Sequence, residues 1–306
     1  MNKSFTLIEI LVVIVVIGIL SSFILVGMSS ISESANIAKS KAFIDSLDNS
    51  LLLARVSEWK LDDTSGTSAS DSWLTNTGTL TNFADTSSGY GDTHDSGWMS
   101  TNNCISGTCL KFDGIDDYIN CGNNGSLTIS ESFSFGLWVK LLSLPSADTT
   151  LLIKGTSTPS YDNYLIYLED YGALAGYVGK SDASGSVSRN IGDINNSKWH
   201  YAFFTFNSVN GFKGFLDGRQ VGSTASTGFT AYNDLSRNVY IGYRWGTIYP
   251  KVIIDDVHIY NQALSTSQIE QNYFLGLNKL FKNNGITFNE FNERIVELKS
   301  NLANNE

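Results

Sequence analysis

Three textures of apolar and polar residues follow one another along the chain. The first is a near-continuous apolar run from Ser4 to Gly27, interrupted by one carboxylate, Glu9. A run of about 18 or more apolar residues can cross a bilayer as a helix. The second runs from Met28 to about Glu58 without Pro or Gly. Ile31, Ala35, Ala38 and Ala42, then Ile44, Leu47, Leu51 and Ala54, mark one side, and Lys39, Lys41, Asp45, Asp48 and Arg55 the other. That spacing predicts an amphipathic continuation of the same helix, roughly 80 Å long in all at 1.5 Å per residue. Gly18 and Gly27 are candidate bend points within it.

From Trp59 the period changes from helical to alternating. A polar stretch to about Thr108 predicts loops with a few short strands. Strand-like segments then recur: Cys109–Phe112, Tyr118–Cys121, Phe133–Leu141, Leu151–Lys154, Tyr164–Leu168, Ala173–Val178, His200–Asn207, Gly211–Leu216, Val239–Gly242 and Val252–Tyr260. In the third of these, Phe133, Phe135, Leu137 and Val139 alternate with other residues. Strands without a long helix between them predict a mainly β head, an antiparallel sandwich or closed sheet. The helical period returns at the end. Ser265 and Gln268 have capping-box spacing, and a helix to about Lys282 would break at Asn283-Asn284-Gly285. Phe291, Ile295, Leu298 and Leu302 then predict a second arm, so residues 265–306 read as a helical hairpin that packs on the rest of the chain.

Charge narrows the partners. A formal net charge of −10 argues against nucleic acid and against an electrostatic hold on anionic lipid. The three histidines, His94, His200 and His258, are scattered and form no metal triad. Glu9 poses the opposite question. A carboxylate within an apolar span costs roughly 2.5–3.5 kcal/mol at its centre and less near an end. A secretory signal peptide fits poorly, because the run is long and no Ala-x-Ala site follows. A plain membrane anchor leaves Glu9 without a partner.

The order of residues supplies a third reading. A short leader ends at Lys3-Ser4, and Phe5-Thr6-Leu7-Ile8-Glu9 and the apolar run follow. This resembles the class III signal of type IV pilins and secretion-system pseudopilins. The resemblance implies that prepilin peptidase cuts between Ser4 and Phe5, that the new Phe5 amine is methylated, and that Glu9 neutralises the N-terminal ammonium of a neighbouring subunit. That family usually carries Gly before the cut, where this chain has Ser4. Phe5 and Glu9 share a helix face, and a paired charge is tolerable where a lone one is not. Lys3 keeps the N-terminus cytoplasmic. The organisation implied is a leader at 1–4, a membrane part at 5–27, an amphipathic part at 28–58, a head at 59–264 and a helical tail at 265–306. With the head outside the inner membrane, Cys104 and Cys109 suit a local disulfide and Cys121 is left over, although spacing does not settle the pairing.

A second resemblance covers about Trp59 to Tyr273. Leu110-Lys111-Phe112-Asp113-Gly114-Ile115-Asp116-Asp117-Tyr118-Ile119 is similar to the FDGxDDYI signature of laminin-G-like, concanavalin A-like jelly rolls. Lys198-Trp199-His200-Tyr201, the turn Phe215-Leu216-Asp217-Gly218, and Ile253 to Ser265 match later motifs in the family's order. Such sandwiches often bind Ca²⁺, which favours oxygen ligands, and the resemblance nominates Asp116 and Asp255, against a reading of these as turn and surface residues. Trp98, Tyr161, Trp245 and Tyr249 lie in Gly/Ser/Pro-rich stretches and are candidates for stacking on sugar, or else loop aromatics that cover the core. Trp138, Trp199 and Phe203 read as core. No hydrolase or nucleotide-binding motif is present, and the adjacent pair Glu169-Asp170 lacks the pattern of sandwich glycosidases. Binding rather than catalysis is expected. The implied function is a pilin-like or pseudopilin-like subunit, in a type IV filament or type II secretion apparatus, that displays a lectin-like adhesive head to an extracellular glycan or protein. The alternative is a monomeric membrane-tethered lectin.

Overall fold

Alternation along the chain decides the strands. The computed structural model describes residues 51, 53–155, 162–243 and 248–302, and the predicted helix, with Ser4, Phe5 and Glu9, lies almost wholly outside them. In chain order the strands are β1 (Arg55–Trp59), β2 (Ser68–Ala69), β3 (Gly78–Thr81), β4 (Gly97–Met99), β5 (Cys109–Lys111), β6 (Tyr118–Asn120), β7 (Ser132–Leu141) and β8 (Thr149–Lys154). They continue as β9 (Tyr164–Leu168), β10 (Ala173–Gly179), β11 (Ser186–Asp193), β12 (Trp199–Asn207), β13 (Gly211–Leu216), β14 (Arg219–Ala225), β15 (Val239–Ile241) and β16 (Val252–Tyr260). Helices α1 (Thr266–Lys282) and α2 (Phe288–Leu302) end the chain.

The strands form two antiparallel sheets. The first runs β14-β13-β12-β7-β16-β5-β4, with β1 also paired to β16; the second runs β11-β10-β9-β8-β15-β6-β3-β2. Their facing sides close one apolar core that includes Phe135, Phe204 and Ile254 from the first sheet and Leu152, Ile166 and Ile241 from the second, all fully buried. Each such side chain contributes roughly 1.5–3 kcal/mol by leaving water. The hairpin between β13 and β14 turns on Asp217 and Gly218, both at positive φ (51° and 77°). Glycine takes that conformation without a Cβ penalty.

The first sheet is also covered on its outer side. Ser265 and Gln268 form the full capping box of α1. From that start α1 buries Ile269, Tyr273, Leu277 and Leu280. Tyr273 stacks on Trp138 of β7 with ring centroids 5.5 Å apart. Gly276 is what permits this approach: a Cβ there would lie 2.5 Å from the Trp138 ring. The second helix docks through Arg294, whose Nη1 donates to the Trp199 carbonyl at 2.7 Å, and Phe291 stacks on Phe281 of α1 at 4.9 Å. Trp138, Trp199 and Phe203 are buried, as expected of them.

Three expectations need correction. The amphipathic helix does not continue to Glu58, because Arg55–Trp59 is a strand that pairs antiparallel with β16, Glu58 opposite His258. Helix propensity is a weak prior that tertiary pairing overrides. The head therefore begins ahead of Trp59, and the chain divides into compact units at 1–53 and 54–306. Second, β11 and β14 occupy stretches that carry no clean alternation, whereas β2, β3 and β4 are short strands of the kind expected in the polar stretch before Thr108. Third, Asp116 and Asp255 do not share a site. The Cys104–Cys109 disulfide is formed, and Cys121 is a buried free thiol whose pKa is pushed up by burial and by Asp71. No described helix is long and apolar enough to cross a membrane.

Candidate functional site

The outer side of the second sheet is built differently from that of the first. In β15, Val239 and Ile241 enter the core, which sends Tyr240 outward; in β6, Ile119 enters and Tyr118 and Asn120 face out. Strand pairing then lines up Tyr177, Leu165, Ile153, Tyr240 and Asn120 across β10, β9, β8, β15 and β6. Leu165, Ile153 and Tyr177 form a small buried cluster of their own, with Tyr167 and Tyr240 against it.

Tyrosines gather at one end of this row. Tyr243 lies 4.7 Å from Tyr240, 4.9 Å from Tyr118 and 6.1 Å from Tyr249, ring centre to ring centre. All four are half-buried. Burial and the neighbouring phenols raise the pKa of Tyr243, and burial, Tyr243, Tyr118 and Asp116 raise that of Tyr249. Amides stand beside the rings: Asn238 Nδ2 donates to the Asn120 Oδ1 at 3.1 Å and to the Tyr240 hydroxyl at 3.2 Å. The Tyr177 hydroxyl donates to Asp162. Ring faces flanked by amides suit a sugar, which presents an apolar face and a rim of hydroxyls.

An acidic loop borders the tyrosines. Asp113, Asp116 and Asp117 each bring a carboxylate oxygen within 4.8 Å of the others. Asp117 Oδ2 accepts from the Asp113 N–H at 2.8 Å, while its Oδ1 is buried without a partner among the described residues. Burial, with the Asp113 charge alongside, pushes the Asp117 carboxyl up to about 7. An orphaned buried oxygen between two further carboxylates fits a hard cation such as Ca²⁺.

The nominated residues fall in several places. Asp116 is in this loop. Asp255 is instead fully buried on β16, where Oδ2 accepts from the Ile105 N–H at 2.7 Å and so holds the disulfide loop. Its electrons are spent on backbone, and its carboxyl is raised by burial and by the Asp256 charge. Trp98 is fully buried and donates Nε1–H to the Gly66 carbonyl at 2.8 Å, so it cannot stack on a ligand. Tyr249 does join the aromatic surface. Tyr161 and Trp245 lie outside the described residues. Tyr118, Tyr240, Tyr243 and Asp113 are not among the residues singled out from the sequence, and Asp117 stands beside the preferred Asp116. The available signal was an aromatic on the polar beat of a strand, as in Val239-Tyr240-Ile241.

Comparison with known proteins supports both halves of the chain. Residues 1–25 match the prokaryotic N-terminal methylation motif, which implies processing by prepilin peptidase and a membrane-tethered, pilin-like location. No curated protein matches the chain significantly. Among solved structures, domain 4 of AbnA, an extracellular arabinanase of Geobacillus stearothermophilus solved with arabinotriose, is 19% identical with a TM-score of 0.51, over 71% of this chain and 97% of that one. The binding domain of Paraclostridial Mosquitocidal Protein 1 is 14% identical with a TM-score of 0.56, over 74% of this chain and 53% of that one. Trypanosoma rangeli sialidase is 13% identical with a TM-score of 0.50, over 73% of this chain, which spans only 33% of the sialidase. These likenesses are of fold. Residues 113–270, just over half of the chain, match the concanavalin A-like lectin/glucanases superfamily from the acidic loop into α1, and the chain belongs to that superfamily.

Proposed function

We propose that this chain is a pilin-like or pseudopilin-like subunit of a type IV filament or type II secretion apparatus, and that its head binds an extracellular glycan on the tyrosine-lined face. The observation that carries the reading is the row of half-buried tyrosines, with no described helix packed over it, on a lectin-superfamily head that follows a methylation motif. In the assembly, Phe5 supplies the methylated amine and Glu9 the charge that pairs with it. The arabinanase domain of like fold makes arabino-oligosaccharides a first class of glycan to test. Asp113, Asp116 and Asp117 would hold Ca²⁺ beside the sugar. The head binds and does not cleave.

Intact mass of the chain recovered from membranes tests the first half. The expected mass begins at a methylated Phe5; a chain that still begins at Met1 would overturn the prepilin reading. Glu9→Leu should abolish entry into filaments and leave the membrane tether, whereas a monomeric tethered lectin would not respond. For the head, Tyr240→Ala with Tyr243→Ala should remove glycan binding on an array without unfolding the protein. Binding that survives the double change would move the ligand elsewhere.

A further inference from the structure

A separate concavity lies on the first sheet, where β12 and β13 emerge beside the start of α1. It encloses about 190 Å³, and Thr205, Asn207, Lys213, Phe215, Leu264 and Thr266 are among its walls. Thr205 and Lys213 are direct cross-strand partners on β12 and β13. Thr205 is only 3% exposed, and it is one of the cavity's walls. The Thr205 hydroxyl reaches the cavity and is free there to pair with a ligand hydroxyl. Lys213 is in none of the ion pairs among the described residues, although the protein carries a net charge of −10.

The remaining walls supply further donors. Asn207 Oδ1 is taken by the Val209 and Asn210 N–H groups at 3.0 and 2.9 Å, which leaves its amide nitrogen to give. Ser265 caps Gln268 N–H, and Thr266 opens the first turn of α1, where backbone N–H groups have no partner within the helix. The positive end of the α1 dipole adds to Lys213. No carboxylate is among the walls. The set therefore favours an anion. The volume equals about six waters at ~30 Å³ each, more than an inorganic oxyanion fills, and Phe215 and Leu264 offer it no apolar partner.

The geometry points to a binding site for an acidic sugar, its carboxylate between Lys213 and the start of α1 and its hydroxyls on Thr205 and Asn207. This site is separate from the tyrosine face and does not depend on it. Calorimetric titration of the full-length chain in detergent, at low salt, tests it with glucuronate, glucose and inorganic phosphate. Glucuronate should bind at least about ten-fold more tightly than glucose or phosphate. Lys213→Met should weaken glucuronate about ten-fold, Thr205→Val several-fold, and Thr205→Ser should restore it. Tyr240→Ala should leave glucuronate affinity unchanged, and Lys213→Met should leave glycan binding on the tyrosine face unchanged. Equal binding of glucose, or no heat with glucuronate, would overturn the proposal. Phosphate as tight as glucuronate would reduce the site to one for simple anions and overturn the sugar. Loss of glucuronate in Tyr240→Ala but not in Lys213→Met would place the sugar on the tyrosine face.

Discussion

The two sheets have the same number of strands, and their outer faces carry similar aromatic side chains with opposite fates. On the first sheet, Trp138, Tyr201, Phe203 and Tyr260 are all buried. Tyr273 stacks on two of them, Trp138 and Tyr201, from α1 above. On the second sheet, Tyr118, Tyr240 and Tyr243 make equally close ring contacts and stay half-buried. The difference is the helical pair, placed by a capping box at Ser265 and by Gly276. Outward aromatics under helices hold the fold together; those with no described helix over them are where the proposed ligand would bind. The sharpest break of that contrast is Trp138→Ala. Removing a buried Trp costs about 3–5 kcal/mol. Urea unfolding should show that loss, and the surviving folded fraction should bind glycan as before. A loss of affinity with no loss of stability would invert the assignment of the two faces.

At the border of the covered face, Glu58 on β1 tests the contrast through pH. Burial alone would raise its pKa. The His258 hydrogen bond and charge, with Ser72 and Arg55, outweigh this and hold it far below the usual carboxylate range. A carboxylate depressed in the folded state stabilises above its unfolded value, near 4.3, and that contribution is lost as pH falls toward the folded value. Stability should therefore decline on acidification from about pH 5. Glu58→Gln should lower stability at pH 7 by about 1.5–3 kcal/mol and flatten the acid decline. Urea midpoints at pH 7, 5 and 3 separate the outcomes. An unchanged acid slope in the variant would show that other groups drive it.

Much of this was legible in the sequence because the physics was local. Ser265 and Gln268 set the start of α1 by their own hydrogen bonds, and the alternation of β7 placed Phe133 to Val139 in the core. Arg55 to Trp59 misled because its helix-like side is real but its partner, His258, stands 200 residues away. Trp98 misled for a similar reason. Its Gly/Ser-rich surroundings look exposed, and only its place in the sheet, opposite Leu110 of β5, sets it in the core. Asp116 and Asp255 carry the same chemistry. Their places in the fold differ: Asp116 lies in the loop between β5 and β6, beside the tyrosines, whereas Asp255 is buried on β16 and holds the disulfide loop.

On the outer face of the second sheet the same reasoning predicts a split between stability and binding. Tyr240 is half-buried and shares its rings' contacts with Tyr118 and Tyr243. Aromatic pairs are worth about 0.5–1.5 kcal/mol beyond area. Tyr240→Ala should therefore cost about 1–2 kcal/mol of folding stability, less than Trp138→Ala. It should weaken glycan binding more than it weakens the fold. Parallel melting and binding measurements on the two variants decide this. If Tyr240→Ala destabilises as strongly as Trp138→Ala, its face is structural too.

The smallest effect concerns the acidic loop that borders the tyrosines. Asp117 Oδ1 is buried and unpaired among the described residues, with the Asp113 and Asp116 carboxylates near the same point. Carboxylates this close disfavour one another's ionised forms, in line with the raised Asp117 carboxyl, and a divalent cation would relieve the repulsion while filling the vacant acceptor. Extracellular Ca²⁺ modules bind in the range of about 10⁻⁴–10⁻³ M. At 1 mM Ca²⁺ the linkage would then add about 0.4–1.4 kcal/mol of stability, a rise of a few degrees in Tm. Chelation should reverse it, and Asp117→Asn should abolish it while leaving the metal-free protein as stable or more so, since the amide removes one of the clustered charges. Glycan affinity should follow the cation only in part, because the tyrosine rings stand without it. An Asp117→Asn protein that melts well below the chelated wild type would mean that the carboxylate serves the Asp113 turn, through its bond to that backbone N–H, rather than a cation.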